Sequence, residues 1–136
     1  MAGGEMPVKQ LTIFLENQTG RLAEVARILK KENINLQGFS TTEARDYGIL
    51  RMIVSDVEKA RQSLKEAGFT THIADAICVK VVDEPGELSK ILDILDKEGI
   101  NIDYIYVIAG TRIVLSVSDI TRTEAILIKN SIELCS

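Results

Sequence analysis

The sequence predicts an α+β protein made of two βαββαβ repeats. When the chain is shifted by 66 residues against itself, eight of the sixteen positions from Gly20 to Asn35 are identical. Apolar alternation of period two and apolar spacing of period 3.6 also follow each other in the same order in both copies. Repetition of this kind indicates a duplicated structural unit.

The first copy begins with a strand from Val8 to Glu16, because apolar residues alternate along it. A helix is predicted from about Gly20 to Glu32, where apolar residues recur every three or four positions. The other predicted elements are strands at Leu36–Thr42 and Gly48–Val54, a helix capped by Asp56 and ended by Gly68, and a strand from Phe69 to about Asp75. This order predicts a ferredoxin-like antiparallel sheet with both helices on one face.

The second copy runs directly on from the first, with no flexible linker. Its first strand is predicted at Ile77–Val82, and the shift falls to 63 after a tighter turn at Ala109 and Gly110. Its fourth strand is expected to be short or absent, because Ile132 matches Phe69. We predict a disordered leader or expression remnant at residues 1–7, one repeat at 8–75 and the other at 76–136.

Composition excludes several classes of protein. The net charge is −4 with no basic run, which argues against nucleic-acid binding. No apolar run approaches the roughly 20 residues that cross a bilayer, and the start does not resemble a signal peptide, so we expect a cytoplasmic protein. Cys78 and Cys135 have no metal-binding spacing; Cys78 is interpreted as a small core residue, and Cys135 supports no prediction.

The side chains do not indicate catalysis. His72 is the only histidine, and its neighbours in a predicted strand supply neither a nucleophile nor an orienting group. One histidine cannot build an ordinary metal site, and we expect no metal and no cofactor. RNA-binding modules of this shape stack bases on aromatic side chains, whereas Tyr104 and Tyr106 have no basic surroundings and suit sheet packing or an interface.

The turn from the first strand into the first helix is the strongest functional signal in each copy. A helix N-terminus presents backbone N–H groups that favour an anion such as a carboxylate. The side-chain oxygens of Asn17 and Asn35 can accept from an ammonium group, and Arg21 can add charge. The alternative is local: Gly20 only permits the turn, and Asn35 only satisfies backbone after the helix.

The pattern [Asn/Asp]-x-[Thr/Pro]-Gly-x-Leu, followed fifteen residues after the glycine by Asn in Ile-Asn-[Leu/Ile], resembles the ACT domain from about Val8 to Cys135. That resemblance implies an amino-acid-binding module that regulates metabolic enzymes. The first copy is especially similar to the serine-sensing ACT domain of 3-phosphoglycerate dehydrogenase. That relative has a ligand-binding histidine where this sequence has Leu15 and Val81, so serine is not implied as the ligand.

In the relative, one Asn of the turn and one at the second strand hold the effector across a domain interface. They correspond to Asn17 and Asn35 in the first copy, and to Asp83 and Asn101 in the second. The full set of residues that the turns and the resemblance assign to ligand binding is Asn17, Thr19, Gly20, Arg21, Leu22, Asn35, Leu36, Asp83, Pro85, Gly86, Glu87, Leu88, Asn101 and Ile102.

We therefore expect a non-catalytic amino-acid sensor that acts on a metabolic enzyme through ligand-dependent assembly. The alternatives are a permanent regulatory subunit of an amino-acid biosynthetic enzyme, and a structural dimer with degenerate sites. A homodimer is expected because a short fourth strand would leave the edge of Ile77–Val82 unpaired, and an open apolar edge invites pairing with another chain.

Overall fold

The computed structural model describes residues 7–16, 18–43 and 46–135, which form seven strands and four helices. In chain order they are β1 (Val8–Glu16), α1 (Arg21–Lys31), β2 (Leu36–Glu43), β3 (Tyr47–Val54), α2 (Val57–Glu66), β4 (Thr70–Lys80), α3 (Glu87–Lys97), β5 (Ile102–Ile108), β6 (Arg112–Val117), α4 (Ile120–Lys129) and β7 (Leu134–Cys135). The prediction of two βαββαβ repeats with antiparallel strand pairing is confirmed. Of the predicted leader, only Pro7 lies within the described residues.

Strand β4 is shared by the two repeats. The last strand of the first copy and the first strand of the second form one uninterrupted strand, as the absence of a linker in the sequence indicates. The chain divides into two compact units within this strand, one of residues 9–74 and the other of residues 75–135 with Val8. Each repeat therefore builds its own core.

In the unit of residues 9–74 the strand order is β2-β3-β1-β4. The register sets Leu11 opposite Met52 and Ile13 opposite Leu50. Alternate residues of a strand share a face, so these four side chains form the buried face of the sheet. The helices cover it with Val25, Leu29, Ala60 and Leu64. Each buried leucine contributes roughly 1.5–3 kcal/mol to folding.

The unit of residues 75–135 repeats this arrangement with strands β7, β4, β6 and β5. Ile77 lies opposite Leu115 and Val79 opposite Ile113. The side chains of Ile91, Leu95 and Leu127 from α3 and α4 complete the core. Tyr106 on β5 is buried, in agreement with the packing role that its sequence context suggests for it.

The second helix of each repeat begins at the aspartate that the sequence predicts as its cap. The Asp56 carboxylate accepts from the Lys59 N–H at 3.1 Å, and the Asp119 carboxylate accepts from the Arg122 N–H at 3.1 Å. Such a bond satisfies one of the N–H groups that a helix start leaves unpaired. The start of α2 and of α4 is thus closed by the chain itself.

The first helix of each repeat ends in the same closure. Asn33 has a φ of 57°, and the Ile34 N–H donates to the Leu29 carbonyl at 2.9 Å. Gly99 and Ile100 repeat this arrangement in the second copy. A left-handed residue followed by this hydrogen bond is the Schellman motif. The predicted helix ends at these positions are confirmed.

The end of the second repeat differs from the expectation. Cys78 is buried, as predicted, but it forms a disulfide with Cys135, which the sequence did not indicate. Strand β7 pairs Cys135 with Cys78 and Leu134 with Val79. The edge along Ile77–Val82, which was predicted to be open, is therefore covered by β7 at Cys78 and Val79. The prediction that a second chain pairs with this edge is wrong at these two residues.

We expect the disulfide to contribute measurably to stability. It closes a loop with a sequence separation of 57 residues, for which the chain-entropy model gives about 4 kcal/mol. Reduction, or Cys135→Ser, should therefore lower the free energy of unfolding by about 2–4 kcal/mol in urea titrations. The double variant Cys78→Ser/Cys135→Ser is the control, since its unfolding should not respond to dithiothreitol. Two titratable thiols in the unreduced, denatured protein would contradict the pairing.

Candidate functional site

The turn after β1 is held by backbone hydrogen bonds. The Gln18 N–H donates to the Glu16 carbonyl at 2.8 Å, and the Arg21 N–H donates to the Gln18 carbonyl at 3.4 Å. Gly20 precedes α1 with a φ of 90°, and no side chain of the described residues caps the helix. Asn17, the candidate ammonium acceptor in this turn, lies outside the described residues.

The turn after β4 has the same geometry 66 residues later. The Glu84 N–H donates to the Val82 carbonyl at 2.8 Å, and the Glu87 N–H donates to the Glu84 carbonyl at 3.3 Å. Gly86 has a φ of 89° and likewise precedes a helix without a side-chain cap. The two turns share this geometry although Thr19 and Pro85, at equivalent positions, differ in chemistry. Pro85 is exposed.

Both helices start with unpaired backbone donors. Within the described residues, no acceptor faces the N–H groups of Leu22 and Ala23 in α1, or those of Leu88 and Ser89 in α3. All four residues are exposed. These N–H groups carry the positive end of the helix dipole, so each turn can receive a carboxylate.

The glycines are required for conformation rather than for space. A Cβ built on Gly20 or Gly86 would have no atom within 4 Å. Their φ angles near 90° nevertheless lie in the left-handed region, which side chains rarely adopt. The predicted need for positive φ is confirmed, and each turn leaves open space in front of it.

Arg21 is already engaged within the chain. Its Nη1 lies 2.7 Å from Glu24 Oε1, its Nη2 lies 3.6 Å from Glu16 Oε1, and its guanidinium carbon lies 4.3 Å from the centre of the Phe69 ring. The Arg21 charge that the sequence assigns to ligand binding is thus balanced by two carboxylates. The residue keeps a role in the turn through its backbone.

Asn35 presents its side chain to solvent just before β2. Its backbone N–H donates to Ser55 Oγ at 2.9 Å, and its carbonyl accepts from the Ser55 N–H at 3.0 Å. Its side-chain amide group has no hydrogen-bond partner among the described residues. Leu36, which follows it, is half-buried and packs against the core.

The structure does not bring the first turn and Asn35 of one repeat together. Glu16, at the turn, pairs with Tyr47 at the start of β3, whereas Leu36, beside Asn35, pairs with Val54 at its end. At about 3.3 Å per residue, the two ends of β3 are roughly 23 Å apart. A free amino acid cannot span that length, so a site that used both asparagines would have to lie between two domains, as the resemblance implies.

The ligand-binding candidates of the second repeat also lie at two opposite ends of the sheet. Asp83 and Leu88 line a groove of about 350 Å³ beside the β5–β6 hairpin, together with Val107 and Arg112. Glu87 lines a second groove and Gly86 a third. Asn101 and Ile102 lie at the opposite end of β6, because Ile102 pairs with Val117 while Lys80 pairs with Arg112. The Asn101 Nδ2 approaches Asp103 Oδ1 at 3.4 Å.

Sequence reasoning missed Arg112 as a lining residue. It lies at the start of β6, and its Nε donates to the Ala109 carbonyl at 2.9 Å. The sequence signal nearest to it is the tighter turn at Ala109 and Gly110, which precedes Arg112 in the β5–β6 hairpin. Arg112 places a positive charge in a groove that otherwise holds the carboxylates of Asp83 and Glu84.

No catalytic arrangement accompanies these turns among the described residues. His72 is exposed on β4, and the described residues contain no group of three or more His, Cys, Asp or Glu side chains that could hold a metal ion. None of the described helices is both long and apolar enough to cross a membrane.

The model of the ACT domain pair matches residues 6–136. The chain belongs to the ACT family. Protein BT0572 from Bacteroides thetaiotaomicron is 41% identical, with a TM-score of 0.91 over 96% of this chain and 92% of that one. No curated protein sequence shows significant similarity.

The ACT fold is also shared by two more distant structures. The regulatory subunit of aspartate kinase from Thermus thermophilus is 17% identical, with a TM-score of 0.69 over 93% of each chain. The regulatory subunit of aspartate kinase from Thermus flavus is 17% identical, with a TM-score of 0.63 over 91% of this chain and 90% of that one. At this level of identity the likeness concerns the fold alone.

We expect Gly20→Ala to destabilise the protein by about 1 kcal/mol or more, because the left-handed conformation is unfavourable for a residue with a Cβ. Urea denaturation followed by circular dichroism measures this change. Gly48→Ala is the matched control: its φ lies outside the left-handed region, and its Cβ would meet the Thr42 carbonyl oxygen at 3.6 Å, an ordinary contact. Equal stability of the two variants would contradict the requirement for positive φ.

Proposed function

We propose that this ACT domain pair is a non-catalytic regulatory protein that binds a free amino acid and responds by changing its assembly with a metabolic enzyme. The observation that carries the proposal is the duplicated turn, in which a left-handed glycine precedes a helix whose exposed N-terminus has no side-chain cap among the described residues. A free amino acid offers a carboxylate that suits those N–H groups. We place the protein in the cytoplasm with such enzymes.

The turn of the first repeat is the primary site in this proposal. The N–H groups of Leu22 and Ala23 would hold the ligand carboxylate, with Thr19 and Gly20 shaping the approach. Asn17 and an Asn35 side chain would accept hydrogen bonds from the ligand ammonium. Because Asn35 lies at the far end of the sheet of its own repeat, the second asparagine must come from elsewhere.

A partner copy of this chain can supply that asparagine. β2 is an edge strand of its unit, and Phe39 on it is 52% exposed. In a two-fold antiparallel pairing of β2 with its copy, the start of the partner strand would meet the end of β2 at Glu43. Glu43, Gly48 and Leu15 are in register, next to the turn of β1. The partner's Asn35 would thus lie at the end of the sheet that carries the turn after β1.

The second turn would form a site of different charge. Asp83 suits an ammonium group, and Arg112 in the same groove suits a carboxylate or another acidic group. Val107 on the edge strand β5 is 68% exposed, and Ile105 on the same strand is also exposed. By the same two-fold argument, β5 would bring Asn101 and Ile102 of a partner copy towards the Asp83 turn.

A permanent regulatory subunit is the second candidate function. The shared fold with two regulatory subunits of aspartate kinase favours it over a purely structural dimer. Under this alternative the amino acid would act on a complex that stays assembled. Gel filtration of a cell extract with and without the effector separates the two, since only the sensor changes its elution volume with ligand.

We expect one or more of the twenty amino acids to bind to the wild-type protein in calorimetry. Asn35→Ala should weaken that binding about tenfold or more, because it removes a hydrogen bond to a charged group. The control is Asn130→Ala, which changes an exposed asparagine at the end of α4, an element of the second repeat. Unchanged affinity in Asn35→Ala would show that this residue does not hold the ligand.

We also expect a homodimer whose sites combine residues from both copies. Sedimentation equilibrium should give twice the 15.0 kDa chain mass, and Phe39→Glu should produce monomers that no longer bind the amino acid. The decisive measurement mixes Asn17→Ala chains with Asn35→Ala chains. Sites shared between copies predict that each mixed dimer regains one intact site, whereas sites within one chain predict no recovery. A monomer at tens of micromolar would contradict the dimer.

A further inference from the structure

In the unit of residues 9–74, a side-chain cation fills the space beside the start of α1. The Arg21 guanidinium carbon lies 4.3 Å from the centre of the Phe69 ring, and carboxylate oxygens of Glu24 and Glu16 lie 2.7 and 3.6 Å from its nitrogens. The Arg21 side chain is 22% exposed. Packing of a guanidinium group on an aromatic ring and pairing with carboxylates are both energetically favourable. In this repeat the cation of the cluster is therefore supplied by the Arg21 side chain.

The second repeat has lost every member of this cluster. The 66- and 63-residue shifts give the equivalent positions as Arg21/Glu87, Glu24/Lys90, Glu16/Val82 and Phe69/Ile132. The cation is replaced by a carboxylate, and the aromatic ring by a smaller aliphatic side chain. The backbone around the cluster is preserved, because Gly68 and Ser131 both adopt positive φ before the last strand.

A groove of about 310 Å³ lies at this position in the second repeat. Its lining includes Val81, Glu87, Lys90, Ile91, Ile132 and Glu133. The volume is at the lower end of the range of about 300–1,000 Å³ for small-molecule sites. The aliphatic side chains provide an apolar floor, and the charged ones stand at its rim.

Two lysines and two glutamates line the groove. Lys80 Nζ lies 2.9 Å from Glu133 Oε2, so these two neutralise each other. Glu87 is half-buried, and its carboxylate has no hydrogen bond or ion pair with any described residue. The ammonium group of Lys90 also has no partner among the described residues, but Lys90 is exposed and keeps its hydration. Glu87 is the less hydrated of the two, and partial burial of a carboxylate without a partner is unfavourable, so Glu87 is the natural counter-ion for an incoming cation.

We propose that this groove binds a small organic cation, a guanidinium or ammonium group on an aliphatic stem. The cationic group pairs with the Glu87 carboxylate, and the stem packs on Val81, Ile91 and Ile132. The ligand then occupies in the second repeat the place that the Arg21 side chain occupies in the first. This site is independent of the amino-acid site proposed at the Gly20 turn.

Calorimetry with three related ligands tests the requirement for a cation. Arginine and agmatine should both bind to the wild-type protein, whereas citrulline, the uncharged analogue of arginine, should bind at least tenfold more weakly. Agmatine has no carboxylate and therefore cannot satisfy the N–H groups of α1. Equal binding of citrulline and arginine, or no binding of agmatine at millimolar concentration, would overturn the proposal.

Variants of the groove test its location with agmatine as the probe. Glu87→Gln should weaken agmatine binding about tenfold or more. Glu84→Gln, which removes an exposed carboxylate from the neighbouring turn, should leave it unchanged. The triple variant Glu87→Arg/Lys90→Glu/Ile132→Phe copies three of the four members of the cluster in the first repeat, so the introduced arginine should fill the groove and abolish binding. Circular dichroism checks that each variant is folded.

The outcomes separate this inference from the proposed function. Asn35→Ala should not change agmatine binding, and Glu87→Gln should not change binding of an amino acid held at the Gly20 turn. Agmatine binding that is lost in Asn35→Ala but kept in Glu87→Gln would refute the groove and leave the turn site standing. Agmatine binding that is lost in Glu87→Gln but kept in Asn35→Ala would support the groove. If, in addition, no amino acid binds at the Gly20 turn, the proposed function is refuted while the groove stands.

Discussion

The left-handed glycine at the strand-to-helix turn is the constraint on which each repeat depends. Gly20 and Gly86 directly precede α1 and α3 and let the backbone reverse between strand and helix, so that the helix can cover the sheet. The same hydrogen bonds form whether Thr19 or Pro85 occupies the position before the glycine. Because the backbone alone fixes this turn, its side chains can change without altering the fold.

The direction of the strands then decides what one repeat can bind. β1 and β2 both run antiparallel to the strand between them, so the turn after β1 and the residue before β2 lie at opposite ends of the sheet. In the proposed dimer, the Asn35 side chain of one copy approaches such a turn of the other copy, which is rotated by half a turn. A binding site built from both asparagines would therefore couple ligand affinity to assembly, as a regulatory protein requires.

Much of the fold could be predicted because its determinants are local. The caps at Asp56 and Asp119, the closure at Asn33 and the alternation along β1 each involve residues a few positions apart. The disulfide could not be predicted, since Cys78 and Cys135 meet only through the pairing of a two-residue strand. The separation of Gly20 from Asn35 depends on register across β3, which spacing along the chain does not reveal.

Duplication explains how one chain can hold two different chemistries. Once the backbone turn is fixed, exchanging Arg21 for Glu87 at equivalent positions costs the fold little, because each side chain lies at the rim rather than in the core. The exchange nevertheless inverts the charge beside the helix start and, with Ile132 in place of Phe69, opens a groove. In the two proposals, the first repeat binds its ligand at the open turn, whereas the second binds a cation in the groove beside the Glu87 carboxylate. The two repeats share the fold and differ in the side chains around the helix start.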